Sequence, residues 1–290
     1  MEGIIAAVPT PVDATGRPVE ALFLEHARWA LANGCDGLNV LGSTGEANSF
    51  DSETRKEIMG WAAAGLDRAR LMVGTGTPSL AETIALTVHA DELGYPVALV
   101  LPPYYYTPPS EDGLVRWYMA VHEALGERAI RIYFYNYPQM TGFVIPEAVI
   151  ARLRKMAPER FGGIKDSSGD LDYCRRIVTA LPGFEVFPSS ETSLSVAKEA
   201  GFAGCISATA NYTAPICAEI WAGGGTDALH GRVAELRAAI SRAALIPSVK
   251  YMVAARTGDG TWKNALPPFT ALGEAEAAAL DRLEPAGAEA

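Results

Sequence analysis

The sequence has few of the residues that build metal centres and disulfide frameworks, and it lacks long apolar runs. Four histidines and four cysteines occur in 290 residues. The cysteines form no CxxC pair, and the histidines show no HExxH or His-x-His spacing. No apolar run approaches the roughly 18 residues of a transmembrane helix. We therefore expect a cytoplasmic protein with reduced thiols, no metal site and no contact with a membrane.

Positive charge is also scarce. The chain has 24 lysine and arginine residues against 34 aspartate and glutamate residues, a formal net charge of −10. This balance argues against nucleic acid or an anionic membrane surface as a partner. It leaves small anionic substrates open, because these respond to local donors. Apolar residues make up 49% of the chain, which is enough for a sizeable core.

Short apolar runs alternate with helical patterns along the chain, which is typical of βαβ units. Eight near-even repeats predict a closed (β/α)8 TIM barrel over residues 1–210. A doubly wound open sheet is the alternative, weakened by the lack of a Gly-rich dinucleotide turn. Residues 211–290 predict a C-terminal helical extension packed on the barrel, with residues 284–290 frayed. The predicted strands are Gly3–Val8, Gly37–Leu41, Leu71–Gly74, Pro96–Leu101, Ile130–Tyr135, Phe161–Lys165, Phe184–Phe187 and Ala203–Ser207.

Lys165 is the lysine best placed for chemistry, because it alone ends an apolar strand. In a strand, period-2 alternation places Phe161, Gly163 and Lys165 on one side, with Gly163 leaving space beside the amine. A desolvated lysine has a lowered pKa and keeps some neutral amine near pH 7, as a Schiff-base enzyme requires. The alternative is a lysine that extends its amine to solvent. The other lysines lie in helix-like polar patterns or a loop: Lys56, Lys155, Lys198, Lys250 and Lys263.

Polar residues follow the other predicted strands, where barrel enzymes place their sites. Ser43 and Thr44, between glycines after the second strand, can hold a carboxylate or phosphate, or form an ordinary turn. Tyr135 ends the fifth strand, and its phenol can relay protons if a neighbour tunes it. A Pro/Tyr loop at residues 102–109 follows the fourth strand and suits either the site or a subunit contact. The polar residues after the seventh and eighth strands suit a hydroxylated substrate: Ser189, Ser190, Glu191, Ser207, Thr209 and Asn211.

Four segments carry a family resemblance. They are Gly42-Ser43-Thr44-Gly45-Glu46, Tyr135-Asn136-x-Pro138, Gly163-Ile164-Lys165-Asp166 and Gly204-Cys205-Ile206-Ser207-Ala208-Thr209-Ala210-Asn211. In this order, after the second, fifth, sixth and eighth strands, they resemble the dihydrodipicolinate synthase / N-acetylneuraminate lyase family. The resemblance runs from about Gly3 to Pro268.

The resemblance implies a metal-free class I aldolase without a cofactor, in which pyruvate, or a 2-keto acid that yields it, forms an imine on Lys165. It implies that Tyr135 is the proton relay. Ser43 and Thr44, with their backbone N–H groups, would bind the keto-acid carboxylate, and Ile206 would add a backbone contact near the imine.

The resemblance also implies a homotetramer, built as a dimer of dimers. Tyr105 would be lent to the site by a neighbouring subunit. The loop here is one residue longer than in the synthases, so Tyr106 is the alternative.

Departures from the family pattern bear on the substrate. The synthases carry an arginine two residues after the proline of the tyrosine motif, which binds the semialdehyde carboxylate. Met140 stands there and cannot supply a bidentate cationic fork. The lyases carry an Asp-Glu pair where this chain has Ser190-Glu191. The pattern looks closer to 2-keto-3-deoxy sugar acid aldolases, whose neutral polyol half would be met by Gln139, Ser167, Ser189, Ser190 and Glu191.

We therefore expect a lyase that cleaves or forms a 2-keto-3-deoxy sugar acid, with pyruvate and an aldehyde as the other partners. The alternatives within the family are a dihydrodipicolinate synthase, which condenses pyruvate with aspartate semialdehyde, and a dehydratase of keto-deoxy sugar acids. Two alternatives lie outside the family. One is a non-catalytic barrel that binds pyruvate, which would need neither the amine nor the phenol. The other is a metal-dependent aldolase, which chelators would inhibit.

Overall fold

The computed structural model describes residues 1–283, and its centre is a ring of eight parallel strands. The strands are β1 Gly3–Ala7, β2 Gly37–Val40, β3 Leu71–Gly74, β4 Val97–Val100, β5 Arg131–Asn136, β6 Phe161–Asp166, β7 Glu185–Pro188 and β8 Gly204–Ser207. The helices are α1 Glu20–Ala32, α2 Ser52–Gly65, α3 Leu80–Glu92, α4 Glu111–Leu125, α5 Pro138–Thr141, α6 Glu147–Met156, α7 Leu171–Ala180, α8 Leu194–Ala200, α9 Ala210–Glu219, α10 Asp227–Ile240, α11 Leu245–Thr257 and α12 Glu274–Leu280.

The strands pair in the order β7-β6-β5-β4-β3-β2-β1-β8, each parallel to its neighbours. At the two ends of this order, the Ala203 N–H donates to the Val186 carbonyl at 2.9 Å and joins the edges of β7 and β8. Sequential pairing around a nearly closed ring confirms the predicted TIM barrel. It excludes a doubly wound sheet, in which the strand order reverses.

All eight predicted strands are present, and each end differs from the prediction by at most one residue. The additions at Asn136 and Asp166 matter for the site. Asn136 Nδ2 donates to Asp166 Oδ1 at 2.7 Å, and the Asn136 carbonyl accepts from the Ser167 N–H at 2.7 Å. These bonds tie together the carboxyl ends of β5 and β6, the strands that carry Tyr135 and Lys165.

Apolar side chains fill two layers, one inside the barrel and one between the strands and the outer helices. Phe134, Phe161 and Tyr118 belong to the outer layer, where the Phe134 and Phe161 rings stack at 5.4 Å. Burying each such side chain contributes about 1.5–3 kcal/mol. The inner layer contains Ile5, Met72, Val97, Leu99, Leu101, Tyr133, Tyr135, Phe187 and Ile206.

The predicted sidedness of β6 is wrong at its start. The pairing of β5 with β6 jumps from Ile132 opposite Phe161 to Tyr133 opposite Gly163, so Gly162 forms a bulge. This extra residue turns Phe161 outward to the helices, on the opposite side from Lys165. The space beside Gly163 is filled by the Tyr133 ring, which a Cβ there would meet at 3.0 Å. This space is therefore not available to the Lys165 amine, contrary to the prediction from the sequence.

The helices after β8 contribute to both the barrel wall and the mouth. α9 packs on β1, and α11 packs on α9 and on the turn Ser43–Gly45. The division into a barrel of residues 1–210 and an extension of residues 211–290 stays a prediction. Residues 284–290, with their expected fraying, lie outside the described part of the chain. None of the helices found in residues 1–283 has both the length and the apolar character needed to span a bilayer.

Candidate active site

Lys165 and Tyr135 stand side by side at the carboxyl end of the barrel. They are paired in register on β6 and β5, with 4% and 5% of their surfaces exposed. Lys165 Nζ lies 4.4 Å from the centre of the Tyr135 ring. Because of the bulge at Gly162, Lys165 faces the inside of the barrel although Phe161 faces outward, whereas regular alternation would place both on the same side. The two strands therefore present an amine and a phenol to the same space.

Burial changes the protonation of this lysine. Burial, aided by the positive charge of Arg237, lowers the pKa of Lys165 from 10.5 to about 7, while Cys205 acts in the other direction. No carboxylate among residues 1–283 forms a salt bridge with Lys165. A large part of the amine is therefore neutral near pH 7, which is the form that attacks a ketone.

The Tyr135 phenol is connected to the turn after β2. Its Oη and Ser43 Oγ lie 3.3 Å apart in a hydrogen bond, and the nearby Ser167 hydroxyl also acts to lower its pKa. Burial raises the pKa of Tyr135 to about 12, against the opposing effect of these two hydroxyls. The phenol is therefore protonated at neutral pH, and it can exchange a proton with a substrate on one side and with Ser43 on the other.

The turn from Gly42 to Glu46 is a short helical turn. The Gly45 N–H donates to the Gly42 carbonyl at 3.0 Å, and the Glu46 N–H donates to the Ser43 carbonyl at 3.1 Å. A Cβ at Gly42 would lie 2.4 Å from Nδ2 of the buried Asn39, so a side chain there would have to displace Asn39. Ser43 and Thr44 both line the pocket, so the turn brings two hydroxyls to its wall.

A cavity of about 380 Å³ opens above these residues, a size suited to a small metabolite. Its walls come from the strand ends and from the C-terminal helices. Its lining residues are Ser43, Thr44, Tyr135, Tyr137, Gln139, Met140, Lys165, Ser167, Ser189, Ile206, Ala208, Arg237, Leu245, Ile246 and Phe269. The cavity thus contains most of the residues that the sequence nominated: Lys165, Tyr135, Ser43, Thr44, Ile206, Ser167, Ser189 and Gln139.

Ser190 and Glu191 are placed differently from the other nominated residues. The Ser190 hydroxyl caps the following turn and bonds Thr192 Oγ1 at 2.6 Å, away from the pocket lining. Glu191 is fully buried beneath the pocket and accepts from Ser207 Oγ at 2.5 Å. Its other donors are Thr209, Thr213 and Arg237. Glu191 therefore has no free face for a substrate.

Arg237 is the charged pocket residue that sequence reasoning missed. It lies on α10, and its Nη1 donates to Glu191 Oε2 at 2.8 Å. The side chain is 24% exposed and lines the cavity, so the charge of Glu191 holds a guanidinium at the pocket wall. The sequence feature that could have indicated Arg237 is its position next to the apolar stripe of α10, formed by the buried residues Val233, Leu236 and Ile240.

Other polar residues after β8 also serve the protein rather than the pocket. Asn211 Nδ2 donates to the carbonyls of Ala7 and Ala208, and its Oδ1 bonds His26 Nε2 at 2.8 Å. Asn211 is 3% exposed and does not line the cavity. Its position in the family motif therefore reflects the closure of the barrel between β8 and β1.

Tyr105 and Tyr106 project from the loop after β4 and do not reach the pocket of their own chain. They are 75% and 86% exposed, and their rings meet edge to face at 5.2 Å. The loan of Tyr105 or Tyr106 to a neighbouring subunit stays a prediction.

The sequence pattern suggested a polar position on a helix for Lys250, but the structure buries this residue. Its side chain is fully buried on α11 and forms an ion pair with Glu46, which is also fully buried. Burial lowers the pKa of Lys250, and the carboxylate opposes that change. The protein thus has two buried lysines near its mouth, of which Lys165 is the one without a carboxylate partner in the described chain. Within residues 1–283, no three His, Cys, Asp or Glu side chains cluster closely enough to hold a metal ion.

Known proteins resemble this chain in sequence and fold. Residues 1–283 match the Dihydrodipicolinate synthetase family. An uncharacterized DapA-like lyase of Chloroflexus aurantiacus is 30% identical over 289 residues, which cover 96% of this chain and 94% of the relative. The dihydrodipicolinate synthase from Agrobacterium tumefaciens str. C58 superposes with a TM-score of 0.90 at 28% identity, over 97% of both chains.

A relative with a bound ligand points to the chemistry of the family. YagE, a prophage protein of the dihydrodipicolinic acid synthase family from E. coli K12, was crystallised in complex with pyruvate. It superposes with a TM-score of 0.88 at 26% identity, over 97% of this chain and 96% of that one. The chain belongs to the dihydrodipicolinate synthetase family, and it is a pyruvate-dependent class I lyase of that family.

Proposed function

We propose that the protein is an aldolase that cleaves a 2-keto-3-deoxy sugar acid to pyruvate and an aldehyde, through an imine on Lys165. The observation that carries this proposal is the buried amine of Lys165, which has no carboxylate partner within residues 1–283, beside the Tyr135 phenol. A structural lysine would be paired, as Lys250 is with Glu46. A site for non-covalent binding would need no amine of lowered pKa.

The reaction begins when the neutral Lys165 amine attacks the C2 ketone. Tyr135 donates its proton to the departing hydroxyl, which leaves as water, and the protonated imine formed beside the Tyr135 phenolate withdraws electrons from the carbon chain. Tyr135 accepts the proton of the C4 hydroxyl as the C3–C4 bond breaks, and the bond's electron pair forms an enamine. The aldehyde departs, a proton is added to C3, and water hydrolyses the imine to give pyruvate and the free amine. Tyr135 exchanges its proton through Ser43, which lies 3.3 Å away.

The keto-acid carboxylate is bound at the turn after β2. Ser43 and Thr44 line the pocket with their hydroxyls, and the N–H groups that begin this helical turn favour an anion. Ile206, on the neighbouring wall, supplies a backbone contact near the imine. This places the reacting carbon between the turn and Lys165.

The aldehyde half faces mostly neutral groups. Gln139, Ser167 and Ser189 line that part of the pocket with amide and hydroxyl groups, which suit a polyol. Met140, where a synthase would have an arginine, is 62% exposed at the rim. Arg237 is the one pocket cation besides Lys165 in the described chain, and its charge is balanced by Glu191. A compensated guanidinium still donates hydrogen bonds to hydroxyl groups.

Dihydrodipicolinate synthesis is the second candidate, and Arg237 is the observation that favours it. This guanidinium is able to bind the carboxylate of aspartate semialdehyde from a different element than the one used by the synthases. A synthase of Rhodospirillum centenum is 33% identical to this chain over 229 residues. The two candidates share the imine and differ only in the second substrate.

A substrate panel separates these functions. Pyruvate release from 2-keto-3-deoxy acids of several lengths and configurations, coupled to lactate dehydrogenase, measures the aldolase. Loss of pyruvate with aspartate semialdehyde measures the synthase, and product formation without pyruvate release reveals a dehydratase. We expect the specificity constant for a sugar acid to be at least about tenfold above that for the synthase reaction. We also expect a chelator to leave the aldolase activity unchanged. A higher constant for the semialdehyde would contradict the assignment.

The protein is further proposed to be a cytoplasmic homotetramer in which Tyr105 or Tyr106 completes the site of a neighbour. The exposure of both rings on the single chain supports this proposal. Light scattering gives the mass of the assembly. Comparing the turnover of Tyr105→Phe with that of Tyr106→Phe identifies the tyrosine that reaches the site.

A further inference from the structure

Glu46 and Lys250 form a buried ion pair between the turn after β2 and α11. We propose that Lys250 is a positioning residue, which acts through Glu46 to hold Ser43 and Thr44 where they bind the keto-acid carboxylate. The inference rests on the proposed function, in which this turn is the carboxylate site.

The Glu46 carboxylate joins three segments that each line the pocket. Its Oε2 accepts from Lys250 Nζ, and its Oε1 accepts from the Leu266 N–H at 2.6 Å. The turn itself contributes Ser43 and Thr44 to the lining. α11 contributes Leu245 and Ile246 at its start, and the segment after Leu266 contributes Phe269. One side chain therefore fixes three parts of the wall relative to each other.

Glu46 also sits at the strained point of the turn. Its backbone has φ 55° and ψ 31°, a left-handed conformation that is uncommon outside glycine. Such a conformation persists where surrounding contacts over-determine it, and it gathers at functional sites. On the other side of the turn, Thr10 Oγ1 donates to the Gly45 carbonyl at 2.9 Å. The turn is thus held from the barrel by Thr10 and from the C-terminal helices by Lys250.

The ion pair is a directional restraint more than a source of stability. Both side chains are fully buried, so the cost of removing two charges from water offsets much of their attraction. A neutral pair of similar size therefore preserves the fold, whereas it loses the bond between α11 and the turn. This difference separates positioning from general stabilisation.

The test measures pyruvate capture, which needs no knowledge of the aldehyde. Borohydride trapping of the imine at increasing pyruvate gives a half-saturating concentration and a maximal rate. The variants are Lys250→Met and the double Glu46→Gln/Lys250→Met. The matched control is Lys56→Met, which breaks an ion pair with Glu53 that lies on the surface. Thermal unfolding is followed for each.

We expect Lys250→Met to lower the melting temperature, because it leaves the Glu46 charge buried and unpaired. The double variant recovers stability. In both, the half-saturating pyruvate concentration rises about tenfold or more, since a small misplacement of a binding group is costly. The maximal trapping rate stays within about threefold, because Lys165 is on β6. Lys56→Met behaves as wild type.

Two outcomes overturn the inference while leaving the proposed function intact. In one, half-saturation in the double variant returns to the wild-type value along with stability, which would make the role merely structural. In the other, half-saturation is unchanged and the maximal rate falls. Failure of the wild-type protein to trap pyruvate would instead reject the proposed function itself, and the inference with it.

Discussion

Lys165 Nζ lies 4.4 Å from the centre of the Tyr135 ring, and the two residues are paired in register on adjacent strands. The face of an aromatic ring attracts a cation, but by only about 0.5–2 kcal/mol. Burial opposes the charge more strongly, and the pKa of Lys165 falls to about 7. The same short distance lets one substrate contact both the amine and the phenol.

Imine formation is predicted to follow the neutral amine. Because the pKa of Lys165 is about 7, the trapping rate with cyanoborohydride should rise about tenfold between pH 6 and pH 8 and level off above. The measurement is the initial rate of adduct formation at saturating pyruvate. A midpoint near 10, the value for a solvated lysine, would show that the amine is not desolvated.

Tyr135→Phe is predicted to separate imine formation from bond cleavage. The pyruvate adduct should still form, since Lys165 is intact, while turnover of the sugar acid falls by about 10²–10⁴, the effect of losing a positioned acid–base group. Adduct formation is read by mass spectrometry and turnover by pyruvate release. Turnover equal to wild type would remove Tyr135 from the mechanism.

Lys165→Met is predicted to stabilise the protein at low pH. The folded pKa of about 7 lies below the ordinary 10.5, so the unfolded state binds more protons between these values. Wild-type stability therefore rises with pH across this window, by about 1.4 kcal/mol per unit. The advantage of the variant should be greatest below pH 7 and shrink toward pH 10. Denaturant unfolding at several pH values tests this, and a pH-independent difference would contradict it.

Arg237→Met is predicted to raise the pKa of the Lys165 amine as well as to affect substrate binding. Removing its positive charge should shift the midpoint of trapping to higher pH, because Arg237 lowers the pKa of Lys165. In Arg237→Lys the midpoint should stay close to the wild-type value. In Arg242→Met, at an exposed position, it should not change. An unchanged midpoint in Arg237→Met would leave burial as the whole cause.

Local pattern was enough to predict the strands and the residues at their carboxyl ends. Lys165, Tyr135, Ser43 and Thr44 were accessible in this way, because each follows directly from the position at which an apolar run stops. The TIM barrel then brings consecutive strand ends to one mouth, whatever the details of packing.

The remaining features depend on contacts between distant parts of the chain. The bulge at Gly162 arises from pairing with β5 and reverses the side on which Phe161 lies. Arg237 and Lys250 reach the site region from helices some 70–85 residues beyond Lys165 in the sequence, and their partners Glu191 and Glu46 are visible only in three dimensions. A charged residue in a helical pattern looks solvated unless its buried partner is known.

The imine on Lys165 is tested most directly by incubating the protein with pyruvate and borohydride, measuring the intact mass, and mapping the modified residue. We predict a single adduct of reduced pyruvate on Lys165, absent in Lys165→Met and still on Lys165 in Lys250→Met. No adduct on folded protein at millimolar pyruvate, or an adduct on another lysine, would contradict the proposed chemistry.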